Sequence, residues 1–191
     1  PAMSVDPAVI ARLGLLELAR VDGASRWIDA HGPSMAPTIP AGSRLLVEFG
    51  RQPDGVGEVL LFRDGAHLVA HRLVARRLVA GRPLLMVKGD AQPLADATIS
   101  PDAVLGVVRA VETPRGTRVL AIVSGRRAAA VARASLIGDR LCRVGRRLAR
   151  PLPPPIRRAA VRVAMSLSRV PTRVLLAILL RLDRRPFAGR R

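Results

Sequence analysis

The chain has 191 residues, room for one domain with a real core plus an appendage but not for two full-sized domains, and with 49% apolar residues it is not a disordered polar chain. Three Phe, one Trp and no Tyr leave few platforms for stacking bases, and the single Cys142 excludes a disulfide framework and a multi-cysteine metal site. The formal net charge of +18 gathers at one end: residues 1–111 carry 12 Lys+Arg against 11 Asp+Glu, whereas residues 112–191 carry 20 against 3.

In chain order, the spacing of Val9, Leu13, Leu16 and Ala19 predicts a helix over 7–20, with Asp6 as N-cap, Pro7 in its first turn and Asp22-Gly23 ending it. From Ser25 to about Val123 the texture changes to short apolar segments, many of them β-branched: RWIDA, SRLLVEF, GEVLLF, HLVAHRLV, RPLLMVKG, AVLGVVRAVE and TRVLAIV. Turn pairs such as Asp54-Gly55, Asp64-Gly65 and Ala80-Gly81 separate them, which predicts an antiparallel domain of hairpins. After Ser124-Gly125 the period becomes helical through Val131, Leu141, Val144 and Leu148, with Arg between them. PLPPP at 151–155 is a stiff break, and a second basic-apolar stretch runs from Ile156, stops at Pro171 and resumes as TRVLLAILLRL. The expected organisation is mainly β: an N-terminal helical flank (1–24), a β-rich domain (25–123) and a basic amphipathic helical region (124–191).

The longest apolar run near the C-terminal end, Val174 to Leu180, lies between Arg173 and Arg181 and falls short of the roughly 20 residues a membrane span needs. Residues 7–19 are interrupted by Arg12 and Glu17 and lack the basic start of a signal peptide. The expectation is a cytoplasmic or peripherally membrane-associated protein with no transmembrane helix.

A hydroxyl nucleophile needs a base, and the bases here are His31, His67, His71 and Lys88. Ser34 stands in HGPSMAPTIPAG, after Gly32 and Pro33 and before Pro37 and Pro40. A serine on a rigid, sharply turning loop presents Oγ in a fixed direction and leaves nearby backbone N–H groups to hold an oxyanion. An ordinary Pro/Gly turn has the same composition. His71 follows the strand-like HLVAHRLV, so regular structure would fix its direction, as it would for a strand histidine with no chemical task. Asp90 and Asp96 lie in KGDAQPLAD, where a carboxylate can orient an imidazole or simply serve a turn.

Together these blocks carry a resemblance. GPSMAPTI, the strand GEVLLF, then HRLV, KGDAQPLAD and Gly106-Val107-Val108 occur in the order and texture of the signal peptidase I family, within the superfamily that includes LexA-type self-cleaving repressors. The matched blocks cover roughly residues 28–110. Bacterial signal peptidases and LexA-type proteins place a lysine where this chain has His71, so it resembles the histidine-bearing endoplasmic-reticulum and archaeal branch. The resemblance implies a signal-peptidase/LexA-like β-domain, Ser34 as nucleophile, His71 as general base, and Asp90 and Asp96 as orienting or stabilising carboxylates, with Asp96 the nearer to the histidine. It implies cleavage of a leader or precursor peptide after small residues, with no cofactor or metal, and a structural role for Lys88. A LexA-like regulator or a non-catalytic binding protein on the same fold is the alternative. No DNA-binding helical pair precedes the β-rich part, which weighs against the regulator.

The family's membrane anchor has no counterpart in the expected elements. An Arg-rich helix with a Leu/Val/Ile face can lie on an anionic membrane surface, dock an acidic partner, or cap the β-domain with a solvated basic face. The expected partners are therefore a peptide or protein substrate and an anionic surface or acidic partner, with nucleic acid disfavoured.

Overall fold

The computed structural model describes residues 7–65, 67–95, 97–114, 116 and 125–182. Within them a seven-stranded antiparallel sheet has the order β1-β2-β7-β3-β4-β5-β6. The strands are β1 (Ser25–Ala30), β2 (Ser43–Phe49), β3 (Val59–Asp64), β4 (His67–Val79), β5 (Arg82–Lys88), β6 (Ala97–Ile99) and β7 (Val104–Glu112). Helix α1 (Pro7–Asp22) precedes the sheet, and α2 (Gly125–Leu148), α3 (Pro154–Ser168) and α4 (Val170–Leu182) follow it. The β-rich part is as the hairpin pattern predicts. Among the described residues, however, more lie in helices than in strands, so they form a β-sheet domain with a large helical part, between mainly β and α+β. The expected strand at 117–123, the N-cap at Asp6 and the tail beyond 182 lie outside the described residues.

The apolar run Val59-Leu60-Leu61-Phe62 explains how the sheet is filled. Successive strand residues face opposite ways, and here both sets are buried. Val59 and Leu61 join Ala19, Met35, Ile39, Leu45, Val47 and Phe49 in one core, which α1 and the Ser34 loop help to close. Leu60 and Phe62 join Leu73, Leu85, Val87, Val104 and Val107 in a second core built from the adjacent strands β7, β3, β4 and β5.

The helical layer attaches to the outer side of β4 and β5. Val74 and Met86 pack against Ala132 of α2, and the buried Lys88 ammonium donates to the Ser135 carbonyl at 3.0 Å. Gly57, at φ +107°, lets the chain before β3 approach the backbone of Ala128 and Ala129 so closely that a Cβ would overlap it. Val131, Leu141, Val144 and Leu148 do not form one face. Val131 is buried with Leu176 and Leu179 of α4, while the other three are exposed. Ten residues separate Val131 from Leu141, which at about 3.6 residues per turn sets them about a quarter of a turn apart.

The interruption expected at Pro171 is also milder than the sequence implies. Pro171 sits in the first turn of α4, where its missing N–H costs no hydrogen bond, and only Arg169 separates α4 from α3. The resulting stretch Pro154–Arg181 has a window of mean hydropathy 1.6, of which 17% is buried. It is long and apolar enough, by length and composition, to cross a membrane. This corrects the expectation that no segment reaches that length.

Candidate active site

The loop between β1 and β2 carries Ser34, and the middle of β4 carries His71. The loop is built by its own turns: the Ala36 N–H donates to Pro33 O at 3.0 Å and the Ile39 N–H to Met35 O at 2.9 Å. Met35 and Ile39 anchor it in the first core, leaving Ser34 partly exposed between them and the cleft. His71, paired across the sheet with Leu60, is 7% exposed. Its ring stands edge-on to Phe62 at 6.0 Å between centroids, and its Nε2 lies 3.2 Å from Ser34 Oγ. That is the reach a general base needs to take a hydroxyl proton.

The KGD turn forms the floor beneath this pair. The Ala91 N–H donates to the Ser34 carbonyl at 2.8 Å, and the Gln92 N–H closes the turn on Gly89 O at 3.0 Å. A Cβ on Gly89 would come within 2.7 Å of the Ser34 carbonyl oxygen and 3.2 Å of His71 Nε2. Gly89 is therefore required by close approach, because a side chain there would push the Ser34 backbone and the His71 ring.

Asp90 does something other than orient the histidine. Its two oxygens accept from Arg72 Nε at 2.8 Å and Arg72 Nη2 at 2.7 Å, and Oδ2 also accepts from Thr38 Oγ1 at 2.5 Å. Arg72 Nη1 donates to the Gly57 carbonyl at 2.7 Å. Arg72, Asp90 and Thr38 are all buried to within 2%. A buried carboxylate survives only if paired and hydrogen-bonded, and a bidentate guanidinium does both. The cluster ties three segments together: the Ser34 loop through Thr38, the His71 strand through the neighbouring Arg72, and the KGD turn through Asp90. Of the two carboxylates that the resemblance implies, Asp90 is held by Arg72 and Thr38, and Asp96 lies outside the described residues.

Arg72 and Thr38 lie within the matched blocks, in HRLV and GPSMAPTI, but the resemblance assigns neither a role. The available signal is a charged arginine inside the strand-like stretch LVAHRLV, where apart from His71 the neighbours are apolar, a position that demands a buried anion. The ammonium of Lys88, the other candidate base, donates to the Ser135 carbonyl of α2.

Beside Ser34 opens a cleft of about 400 Å³ between β1 and the start of β4. Met35, Ile39, Leu45, Leu61, Leu68 and Ala70 give it apolar walls, and His31 and His67 also line it. A concave, mostly apolar cleft beside a serine–histidine pair is the kind of place where a small molecule or a short peptide segment binds. No protein-family model matches the chain, and no curated protein is significantly similar to it.

Proposed function

We propose that the chain is a serine endopeptidase of the signal-peptidase type, on a signal-peptidase/LexA-like β-domain, that cleaves a leader or precursor peptide after a small residue. The observation that carries this reading is the 3.2 Å approach of His71 Nε2 to Ser34 Oγ at the end of an apolar cleft. His71 takes the Ser34 proton as Oγ bonds to the scissile carbonyl carbon. The Ser34 backbone N–H helps to hold the oxyanion. As the tetrahedral intermediate collapses, the C–N bond breaks and the imidazolium gives its proton to the leaving amine. Water then attacks the Ser34 ester, His71 takes the water's proton, and the proton returns to Oγ as the acid product departs. The Arg72–Asp90–Thr38 cluster acts on none of these atoms. It keeps the serine loop, the histidine strand and the floor in register, and misplacement of about 1 Å can cost on the order of 100-fold in rate.

A randomised peptide library incubated with the full chain and read by mass spectrometry tests this. The expected products end in Ala or Gly and vanish with Ser34→Ala. Cleavage after bulky or charged residues would contradict the proposed specificity. A library left intact by the wild-type chain would favour a binding protein on the same fold.

A further inference from the structure

Two features of the helical layer have no part in the peptidase chemistry. The first is a continuous apolar surface. On α2, Ile137, Leu141, Val144 and Leu148 are each at least half exposed, at intervals of four, three and four residues. The buried face of α2, with Val131, Ser135 and Cys142, lies more than a third of a turn away. On α3 and α4, Val163, Leu167, Val170, Val174 and Ile178 repeat the pattern at intervals of four, three, four and four. The two helical arms run antiparallel, since Gly138 meets Ser168 and Gly145 meets Ala164. Each stripe lies about a quarter turn from that line of contact, in the same sense along its own chain. In an antiparallel pair this brings both stripes to one side of the hairpin, away from the sheet.

The second feature is the charge. Residues 125–182 hold fourteen arginines and one acidic residue, Asp139, whose carboxylate is engaged by Arg143 and the Ala95 N–H. Arg133, Arg140 and Arg147, seven residues apart and all exposed, run beside the α2 stripe. At the turn end of the hairpin, seven arginines line a cleft of about 910 Å³ between α2 and α3.

We propose that this outer face docks on a bilayer surface containing anionic phospholipid, with the helices lying in the plane of the interface; the proposal is independent of the peptidase reading. The stripes enter the headgroup–acyl boundary, and the flanking arginines lay their stems on apolar surface while their guanidinium groups hold headgroup phosphates. The remaining arginines strengthen the attraction over roughly 10 Å of screened distance. Crossing the bilayer is disfavoured, although Pro154–Arg181 is long enough for it. It would place Arg169 and Arg173 in the hydrocarbon and pull Leu176 and Leu179 away from Val131. A nucleic acid would use the arginines but leave the stripes in water, and residues 125–182 contain no aromatic side chain to stack on a base.

The test is flotation of the full chain with phosphatidylcholine vesicles and with vesicles of phosphatidylcholine and phosphatidylglycerol in equal parts. The wild type is expected to float with the mixed vesicles only, and alkaline carbonate should release it. Leu141→Glu with Val163→Glu, both at exposed positions, should reduce the bound fraction about tenfold or more while circular dichroism stays unchanged. Val144→Cys carrying an environment-sensitive fluorophore should shift to the blue on the mixed vesicles. Any of four results overturns the proposal: a wild type that stays unbound, a stripe variant that floats undiminished, a fluorophore that reports only water, or displacement from the vesicles by duplex DNA at equal phosphate concentration. Resistance to carbonate would overturn the in-plane arrangement.

Discussion

Ser34→Ala is expected to lower kcat/KM on a cleaved peptide by at least about 10³-fold without unfolding the protein. The loop does not depend on the hydroxyl for its shape. Its turns are held by backbone hydrogen bonds, its Ser34 carbonyl by Ala91, and its far end by Thr38 on Asp90. His71→Ala should cost as much, and the double variant little more, because nucleophile and base act as a unit. His71→Lys should not restore turnover, since a lysine serves as a base only when desolvation strips its proton near neutral pH. Lys88→Ala should leave turnover in place, because the ammonium it removes sits at the Ser135 carbonyl. Equal turnover by Ser34→Ala and wild type would show that the nucleophile lies elsewhere.

The largest stability effect is expected at Arg72. Arg72→Met should cost about 3–5 kcal/mol in equilibrium denaturation, because it strands the carboxylate of Asp90 in the interior with Thr38 as its remaining side-chain donor. The Gly57 carbonyl loses its guanidinium donor at the same time. Adding Asp90→Leu to Arg72→Met should recover part of the loss, since two apolar residues leave no unpaired charge. Thr38→Val, which removes the hydroxyl's bond to Asp90 and the long 3.5 Å bond it accepts from Arg72 Nη2 but keeps the volume, should cost only about 1–2 kcal/mol. An Arg72→Met protein that unfolds at the wild-type denaturant concentration would refute the claim that this pair joins the three segments.

The strands were legible because each was a short apolar run closed by a turn pair, and the runs from RWIDA to AVLGVVRAVE fall on β1 to β5 and β7. β6 was not, because three residues carry too little pattern to be told from a turn. The helical region was legible as helix but not as surface. Pooling Val131 with Leu141, Val144 and Leu148 mixed a buried position with three exposed ones, and only the packing of α4 on α2 separates them. Pro171 read as a break because a proline is tolerated only in a helix's first turn, and the register of that turn is set by Arg169.

At the site, Ser34 and His71 stood out through the residues around them. The partner of Asp90 did not, since its choice of Arg72 over His71 depends on how the KGD turn folds back across β4, a tertiary fact. The arginine was the clue: a guanidinium inside a strand with buried neighbours on both sides needs an anion, and Asp90 was at hand in the next block.

The most direct measurement of the central claim is the mass of the covalent intermediate. An activated alanyl ester, quenched in acid during turnover, should leave one acyl group on the wild-type chain, mapped to Ser34 in the peptide Trp27–Arg44. The adduct should be missing from Ser34→Ala and should form at least about 10³-fold more slowly in His71→Ala. An acyl group on any other residue, or acylation of Ser34 at the wild-type rate without His71, would contradict the account.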